Sequence, residues 1–199
     1  NYPVADFSAT TVCYSDSTFF ADQSSIIGDS LISWEWDFDD GVLVSTDTNP
    51  SYIFSSGGTF FVALTVTTNI GCRDTIIKIV LVHSLPNADA GPDDTICIFQ
   101  NAQLLASGGI DIAWNADSTL SDTSIANPIA TPQISNDYVV FVTDTNNCIN
   151  SDTVTVIVNP LPVVNAAPDT QICIGESIIL NASGGVLYSW NPYASLSNH

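Results

Sequence analysis

The sequence contains an internal repeat with a period of 76 residues. Residues 85–122 return without a gap as residues 161–198, and 17 of the 38 aligned positions are identical. The identical positions include the proline, cysteine, glycine pair and tryptophan that punctuate each copy. A repeat of this kind indicates an array of small domains. We therefore predict units at 1–84, 85–160 and 161–199, the last being the first half of a further repeat.

Within the units, short runs of β-branched and aromatic residues recur about every ten residues between glycine, asparagine, aspartate, serine or proline. No helical stretch of useful length competes with them. The predicted strands are 4–9, 18–22, 32–38, 51–54, 60–67, 74–83, 95–99, 102–106, 111–115, 138–143 and 152–158. We predict an all-β chain of tandem immunoglobulin-like β-sandwiches. Linkers rich in proline should join them into an extended rod.

The charge balance excludes two classes of partner. The chain has 21 acidic residues against two basic ones, Arg73 and Lys78, and a formal net charge of -19. This charge repels nucleic acid and anionic membrane surfaces. No run of 18 apolar residues is present, so we expect no direct membrane insertion. The lack of methionine and of a signal peptide is expected for an internal or processed piece of a secreted protein.

The chain has five cysteines, one near the start and one near the end of each complete unit and Cys173 near the start of the third. Small domains bury little surface, so disulfides are expected to stabilise them. Pairing within units predicts the bonds Cys13–Cys72 and Cys97–Cys148. Cys173 would be unpaired within the chain, with a partner near where position 224 would be. The spacing is not that of a zinc or redox site, and we predict an oxidising, extracellular location.

The first unit carries the motifs of a known family. It opens with PVADF at 3–7, continues with WEWDFDDG at 34–41, and contains NPSYIFSSGGTFFVALTVTTNIGC at 49–72. These segments, in this order, resemble the PKD domain, a β-sandwich of immunoglobulin-like architecture, over residues 1–84. Asp39 stands where the family usually has glycine.

Residues 85–199 are similar to the immunoglobulin-like repeats that follow PKD domains in very long secreted surface proteins of gliding, type IX-secreting bacteria. The resemblance rests on LPxxxAxPDxxIC, the Ser-Gly-Gly turn and a Trp-Asn pair. It implies a stalk, an adhesin or an interaction module without catalysis of its own.

The acidic turn of the first unit has two interpretations. Asp37, Asp39 and Asp40 supply hard oxygen ligands at the close spacing that calcium requires. Resemblance to calcium-binding PKD-like domains of bacterial collagenases implies Asn1, Asp37 and Asp39 as the ligands. Alternatively, these carboxylates cap the turn and hold the hairpin without a metal. We expect no cofactor other than calcium.

The tryptophans also have two interpretations, a sugar-stacking surface or the core of a sandwich. Each precedes a turn in its unit, where an immunoglobulin-like fold buries a core tryptophan. We expect Trp36, Trp114 and Trp190 in the core and Trp34 facing inward with them. Catalysis is not expected, because His83 and His199 lie far from any recognisable nucleophile motif.

Several Asp-Ser/Thr-aliphatic triplets resemble the O-glycosylation signal of type IX-secreting bacteria. They predict modification of at least one hydroxyl among Ser30, Thr75, Thr95 and Thr153. The same triplets are also how an acidic sequence begins a strand. Asn181 begins a nominal N-glycan acceptor.

Together these features predict a non-catalytic extracellular segment of a bacterial surface adhesin, stalk or fibre. The alternatives are a subunit of a polymerising filament, whose half-domain is completed by another chain, and a carbohydrate- or protein-binding accessory module of a secreted enzyme. The expected partners are neighbouring domains or subunits of the same protein, and glycans or proteins of a cell surface or matrix.

Overall fold

The computed structural model describes residues 2–39, 41 and 44–191. Every regular element in this part of the chain is a strand. The strands are β1 (Phe7–Ala9), β2 (Val12–Cys13), β3 (Thr18–Asp22), β4 (Leu31–Asp37), β5 (Val44–Ser45), β6 (Ser51–Tyr52), β7 (Gly58–Thr68), β8 (Arg73–His83), β9 (Asp94–Cys97), β10 (Ala102–Gln103), β11 (Asp111–Trp114), β12 (Ile129–Ala130), β13 (Asn136–Thr143), β14 (Ile149–Asn159), β15 (Asn165–Ala166) and β16 (Ala182–Ser183). The described residues include no helix long and apolar enough to cross a membrane.

The first sandwich is built from two sheets. One has the order β1-β3-β6, and the other has the order β2-β8-β7-β4-β5. Alternation along β7 buries Val62, Leu64 and Val66 because successive side chains of a strand point to opposite faces. The all-β sandwich class predicted from the sequence is confirmed.

An aromatic cluster fills the space between these sheets. Trp36 is fully buried, and its ring centroid lies 5.1 Å from that of Phe7 and 5.4 Å from that of Phe20. The indole N–H of Trp36 donates to the carbonyl oxygen of Asp47 at 2.8 Å. The buried polar atom is therefore satisfied, as a core tryptophan requires.

The second sandwich repeats this plan. Its sheets have the orders β11-β13-β14-β9 and β10-β12. Trp114 is buried, and its indole N–H donates to the carbonyl oxygen of Ile125 at 3.0 Å, again 11 residues further along. The hydroxyl of the fully buried Tyr138 lies 2.6 Å from that of Thr119. Trp36 and Trp114 are therefore equivalent core positions, as predicted.

The opening segment of each sandwich is held by an aspartate of a late strand. The backbone N–H of Ala5 donates to Oδ2 of Asp74 at 2.8 Å. In the second sandwich, the N–H of Ala90 donates to Oδ2 of Asp152 at 2.9 Å. Hydrogen bonding to this carboxylate lowers the pKa of Asp152, the Ala90 N–H first and the Thr153 N–H second, against a smaller opposing effect of burial. The aspartates of two Asp-Thr-aliphatic triplets thus hold the opening segment of each sandwich against a late strand.

The repeated Ser-Gly-Gly motif permits a close approach of the linker. Gly108 has a φ of +114°, and a Cβ atom there would lie 2.0 Å from the carbonyl oxygen of Asn87. Gly184, one period later, has a φ of +93° and would place a Cβ 1.8 Å from the carbonyl oxygen of Val163. Only glycine fits both the backbone conformation and the space. The described part of the third unit therefore repeats the start of the second, including an antiparallel pairing of β15 with β16.

Candidate functional site at the junction of the two sandwiches

A disulfide joins the first sandwich to the second. Cys13 bonds Cys148 with an S–S distance of 1.97 Å and a Cα–Cα distance of 5.5 Å, across 135 residues of sequence. The Cα separation lies in the usual range for disulfides. Because Cys13 belongs to the first sandwich and Cys148 to the second, the bond connects two domains and does not brace either one internally.

The edge of the first sandwich positions Cys13. β2 runs parallel to β8, and Cys13 lies opposite His83 at the end of that strand. The N–H of Tyr14 donates to the carbonyl oxygen of His83 at 2.7 Å, and the N–H of Asp16 donates to the carbonyl oxygen of Cys13 at 3.0 Å. Ser15 between them has a φ of +78°. This tight turn presents the sulfur of Cys13 at the end of the sandwich that faces the linker.

A polar turn between β13 and β14 positions Cys148. Oδ1 of Asp144 accepts the N–H groups of Asn146 at 2.8 Å and Cys148 at 2.9 Å. Burial alone would raise the pKa of Asp144, but these hydrogen bonds and the nearby charge of His83 outweigh it and lower the pKa. Asp144 therefore stays ionised, and it keeps the buried Cys148 in place.

The linker adds contacts at the same junction. The side-chain amide of Asn150 donates to the carbonyl oxygen of Pro86 at 2.9 Å. A Cβ at Gly57 would lie 2.4 Å from Oγ of Ser84, so the first sandwich also packs closely on the linker. The junction is thus held at three places: the disulfide, the Asn150 amide and the packing of the linker on Gly57.

The predicted disulfides Cys13–Cys72 and Cys97–Cys148 are wrong. Cys13 lies beside the last residue of β8, whereas Cys72 immediately precedes the first. A strand of 11 residues separates those ends by roughly 33 Å, far beyond the about 7 Å between Cα atoms that a disulfide spans. Cys97 and Cys148 lie at opposite ends of the 11-residue β14 in the same way.

Three cysteines are free thiols in this structure: Cys72 is half-buried, and Cys97 and Cys173 are exposed. The sequence shows that one cysteine lies near the start and one near the end of each complete unit, but it does not show that these two cysteines are close in space. In each sandwich, one cysteine (Cys13 or Cys97) ends the edge strand that pairs with the last strand, whereas the other (Cys72 or Cys148) lies in the hairpin turn immediately before that last strand.

The acidic turn places two of the three predicted calcium ligands among backbone amides. Oδ1 of Asp37 accepts the N–H of Asp39 at 3.0 Å. Oδ2 of Asp39 accepts the N–H of Phe61 at 2.9 Å, and Asp39 has a φ of +61°. Asn1 and Asp40 lie outside the described residues. Within the described ranges, no three histidine, cysteine, aspartate or glutamate side chains are grouped to hold a metal.

Trp34, Tyr52 and Tyr188, the aromatic side chains that could have formed a sugar-stacking face, do not line one exposed surface. Trp34 is half-buried against the first core, and its indole N–H donates to Oδ2 of Asp22 at 2.8 Å. Tyr52 stacks on Phe38 with centroids 4.1 Å apart. Tyr188, 47% exposed, lies in the third unit, where Trp190 is half-buried. These positions offer no shared sugar-stacking surface.

The four predicted glycosylation hydroxyls are all exposed: Ser30, Thr75, Thr95 and Thr153. The hydroxyl of Thr75 lies 2.8 Å from that of Thr65 on the neighbouring strand. The positions are accessible to a modifying enzyme, and their modification stays a prediction.

The two sheets, the buried tryptophan and the linker contacts define a class of protein, tandem β-sandwiches joined end to end. Residues 1–81 match the model of the PKD domain family. The PKD1 domain of Vibrio anguillarum Epp is 30% identical over 42% of this chain and 96% of its own length, with a TM-score of 0.40. The PKD1 domain of Vibrio cholerae metalloprotease PrtV is 30% identical over 42% of this chain and 99% of its own, with a TM-score of 0.39.

The chain belongs, through its first domain, to the PKD domain family. A structure of carbohydrate-binding modules from the β-sandwich superfamily is 18% identical over 72% of this chain and 55% of its own, with a TM-score of 0.41. A comparison with curated proteins found no match.

Proposed function

We propose that this chain is a non-catalytic, load-bearing segment of an extracellular surface protein, in which the inter-domain disulfide carries tension past most strands of two sandwiches. The observation that carries the proposal is the bond between Cys13 and Cys148. Tension applied along the chain enters near Cys13, crosses the disulfide and leaves after Cys148. The span of 135 residues that the bond bridges, which includes β3 to β8 of the first sandwich and β9 to β13 of the second, is shielded from that tension.

The junction contacts support the same role. A linker joined only by peptide bonds leaves two domains free to reorient, which is the default for domains in one chain. Here the disulfide and the bond from Asn150 to Pro86 constrain the joint at two places. A net charge of -19 favours solubility and extension of such an array.

An extracellular location accords with the disulfide, since such bonds persist in oxidising compartments. It also accords with membership of the PKD family. The finer assignment, a long surface protein of a gliding, type IX-secreting bacterium with O-glycans at one or more of the four exposed hydroxyls, rests on the sequence motifs of the second and third units.

Single-molecule force spectroscopy tests the proposal. The chain is held by its two ends and stretched before and after reduction. Before reduction, the 135-residue span must release no length, and after reduction it releases roughly 450 Å, from about 3.3–3.6 Å for each extended residue. Cys97→Ser serves as the matched control, because it removes a cysteine outside the bond and must leave the oxidised trace unchanged. Equal extension of the oxidised and reduced chains would refute the mechanical role.

A further inference from the structure

We propose that Cys97 and Cys72 each form a further inter-domain disulfide of the Cys13–Cys148 kind with another sandwich of this repeat. Cys97 bonds the hairpin-turn cysteine of a sandwich that follows, and Cys72 bonds the edge-strand cysteine of a sandwich that precedes. The inference deepens the proposed load-bearing role and rests on it. It turns one observed disulfide into a rule: the cysteine at the end of the edge strand of one sandwich bonds the hairpin-turn cysteine of the sandwich that follows.

The first support is that Cys97 occupies the same place in the second sandwich as Cys13 occupies in the first. Cys97 ends β9, which runs parallel to β14, and lies opposite Asn159, just as Cys13 lies opposite His83. The N–H of Ile98 donates to the carbonyl oxygen of Asn159 at 2.9 Å. This bond matches the one from Tyr14 to His83.

The turns after the two cysteines also agree. The N–H of Gln100 donates to the carbonyl oxygen of Cys97 at 3.0 Å, the same distance as from Asp16 to Cys13. Phe99 has a φ of +72°, against +78° for Ser15. Cys97 is therefore presented at the far end of the second sandwich as Cys13 is presented at the junction, and its thiol is exposed.

The second support is that Cys72 occupies the same place in the first sandwich as Cys148 in the second. The N–H of Thr68 donates to the carbonyl oxygen of Cys72 at 2.9 Å, and that of Asp144 donates to Cys148 at 3.0 Å. In the opposite direction, the N–H of Cys72 donates to Oγ1 of Thr68 at 3.1 Å, and the N–H of Cys148 donates to Oδ1 of Asp144 at 2.9 Å. The two hairpin turns thus hold their cysteines by the same pair of bonds.

The third support is the continuation of the repeat. Cys173 follows Cys97 by one period, and the N–H of Glu176 donates to its carbonyl oxygen at 3.1 Å, which is the same turn bond again. Gly184 reproduces the close approach of the linker that Gly108 makes. The third unit therefore joins the second by the same kind of linker as the second joins the first. This geometry directs Cys97 at the hairpin turn of a following sandwich and Cys72 at the edge strand of a preceding one.

The partner is thus a sandwich of this repeat that carries the complementary cysteine, supplied either by the adjoining unit of the same polypeptide or by a second copy of the chain placed head to tail. Bond formation takes two electrons and two protons from two thiols, and a small-molecule disulfide accepts them. The thiolate of Cys97 attacks that disulfide and releases one thiol, and the partner thiolate then displaces the second. The products are one inter-domain disulfide and two small thiols.

Two arms of one experiment separate the sources. For the same-chain arm, a second copy of residues 85–160 is placed directly after residue 160, and the protein is refolded with oxidised and reduced glutathione. We expect two disulfides, Cys13–Cys148 and Cys97 to the second copy of Cys148. The variant Cys97→Ser should keep the first bond and have three free thiols, those of Cys72 and of the second copies of Cys97 and Cys148, against two free thiols in the parent.

For the second-copy arm, chains of 199 residues carrying Cys173→Ser are oxidised at high concentration. The variants Cys72→Ser and Cys97→Ser are then mixed, each blocking one half of the link. Directional pairing predicts dimers in the mixture, joined through Cys97 of one chain and Cys72 of the other, and at least tenfold fewer dimers in either variant alone.

A bond in either arm supports the proposal and identifies its source. Cys97 remaining a thiol in both arms while Cys13–Cys148 forms overturns the proposal and leaves the load-bearing role intact. Dimers joined Cys97 to Cys97 as readily as Cys97 to Cys72 also overturn it, because undirected collision of exposed thiols would then explain them. Failure of Cys13–Cys148 itself would instead contradict the proposed function.

Discussion

Removal of the Cys13–Cys148 bond should uncouple the unfolding of the two sandwiches. When one sandwich unfolds and the other stays folded, the disulfide closes a loop of roughly 65 to 75 residues, because the linker stays bound near Pro86. In the chain-entropy model such a loop raises the free energy of that partly unfolded state by about 4.4 kcal/mol. When both unfold, the loop spans 135 residues and the increase is only about 5 kcal/mol.

The bond therefore penalises unfolding of a single sandwich almost as much as unfolding of both. The two single-sandwich penalties together exceed the penalty for unfolding both by about 3.8 kcal/mol, which is the coupling free energy. At the midpoint of unfolding, this coupling lowers the population of each half-unfolded state about 25-fold relative to independent domains. An intra-domain disulfide would produce no such coupling, because it would close a loop within one core only. The predicted observation is one thermal transition for the oxidised chain and two for the reduced chain.

Differential scanning calorimetry measures this directly. Cys13→Ser is the preferred variant, since Cys13 is half-buried whereas Cys148 is fully buried and its replacement would also disturb packing. We expect Cys13→Ser to show two transitions and Cys72→Ser, the matched control, to keep one. Two resolved transitions in the oxidised parent chain, at the temperatures of the reduced chain, would show that the disulfide does not couple the two sandwiches. Loss of stability in Cys72→Ser equal to that in Cys13→Ser would contradict the coupling as well.

Three further predictions address the positions that shape the sandwiches. Gly108→Ala should lower the free energy of unfolding by more than about 3 kcal/mol, because the new Cβ would lie 2.0 Å from the carbonyl oxygen of Asn87 and the backbone would also be strained. The control Gly71→Ala has open space around it and should lower the free energy of unfolding by about 1–2 kcal/mol, from strain alone. Equal shifts of the two variants in the urea midpoint would contradict this. Because the pKa of Asp152 is lowered in the folded chain, its carboxylate contributes stability above its unfolded pKa, and this contribution is lost as pH falls through its folded pKa. In urea titrations below about pH 4, the free energy of unfolding of Asp152→Asn should therefore fall less steeply with decreasing pH than that of the parent chain. Parallel pH dependences of the two chains would contradict this. Oδ2 of Asp39 accepts the N–H of Phe61 on the neighbouring strand, so Asp39→Ala should lower the free energy of unfolding by about 1 kcal/mol. Millimolar calcium or a chelator should leave the melting temperature of the parent chain unchanged. A calcium-dependent rise in melting temperature that Asp39→Ala abolishes would favour the metal interpretation.

The long strands could be predicted from the sequence because they alternate over many residues. The predicted strand 18–22 coincides with β3, and the prediction 60–67 falls inside Gly58–Thr68. The two-residue strands β2, β5 and β12 were not predicted, since two residues carry no periodicity. The missing β2 led to the wrong disulfide prediction, because β2 places Cys13 at the end of β8, next to the second sandwich and away from Cys72.

The site depended on which end of each sandwich a residue occupies. Repeat spacing shows that Cys72 and Cys148 correspond to each other, but it does not show that each lies a full strand length from the other cysteine of its own unit. Pairing within units assumed that early and late cysteines meet across the core, as in antibody domains. Parallel pairing of the edge strand with the last strand instead puts them at opposite ends.

Disulfide mapping of the unreduced 199-residue chain would show whether a disulfide joins consecutive sandwiches. Free thiols are blocked first, and the protein is then digested with pepsin at acidic pH to prevent exchange. We expect one cross-linked species that contains Cys13 and Cys148 and disappears on reduction. Cross-linked species containing Cys13 with Cys72, and Cys97 with Cys148, would contradict this expectation.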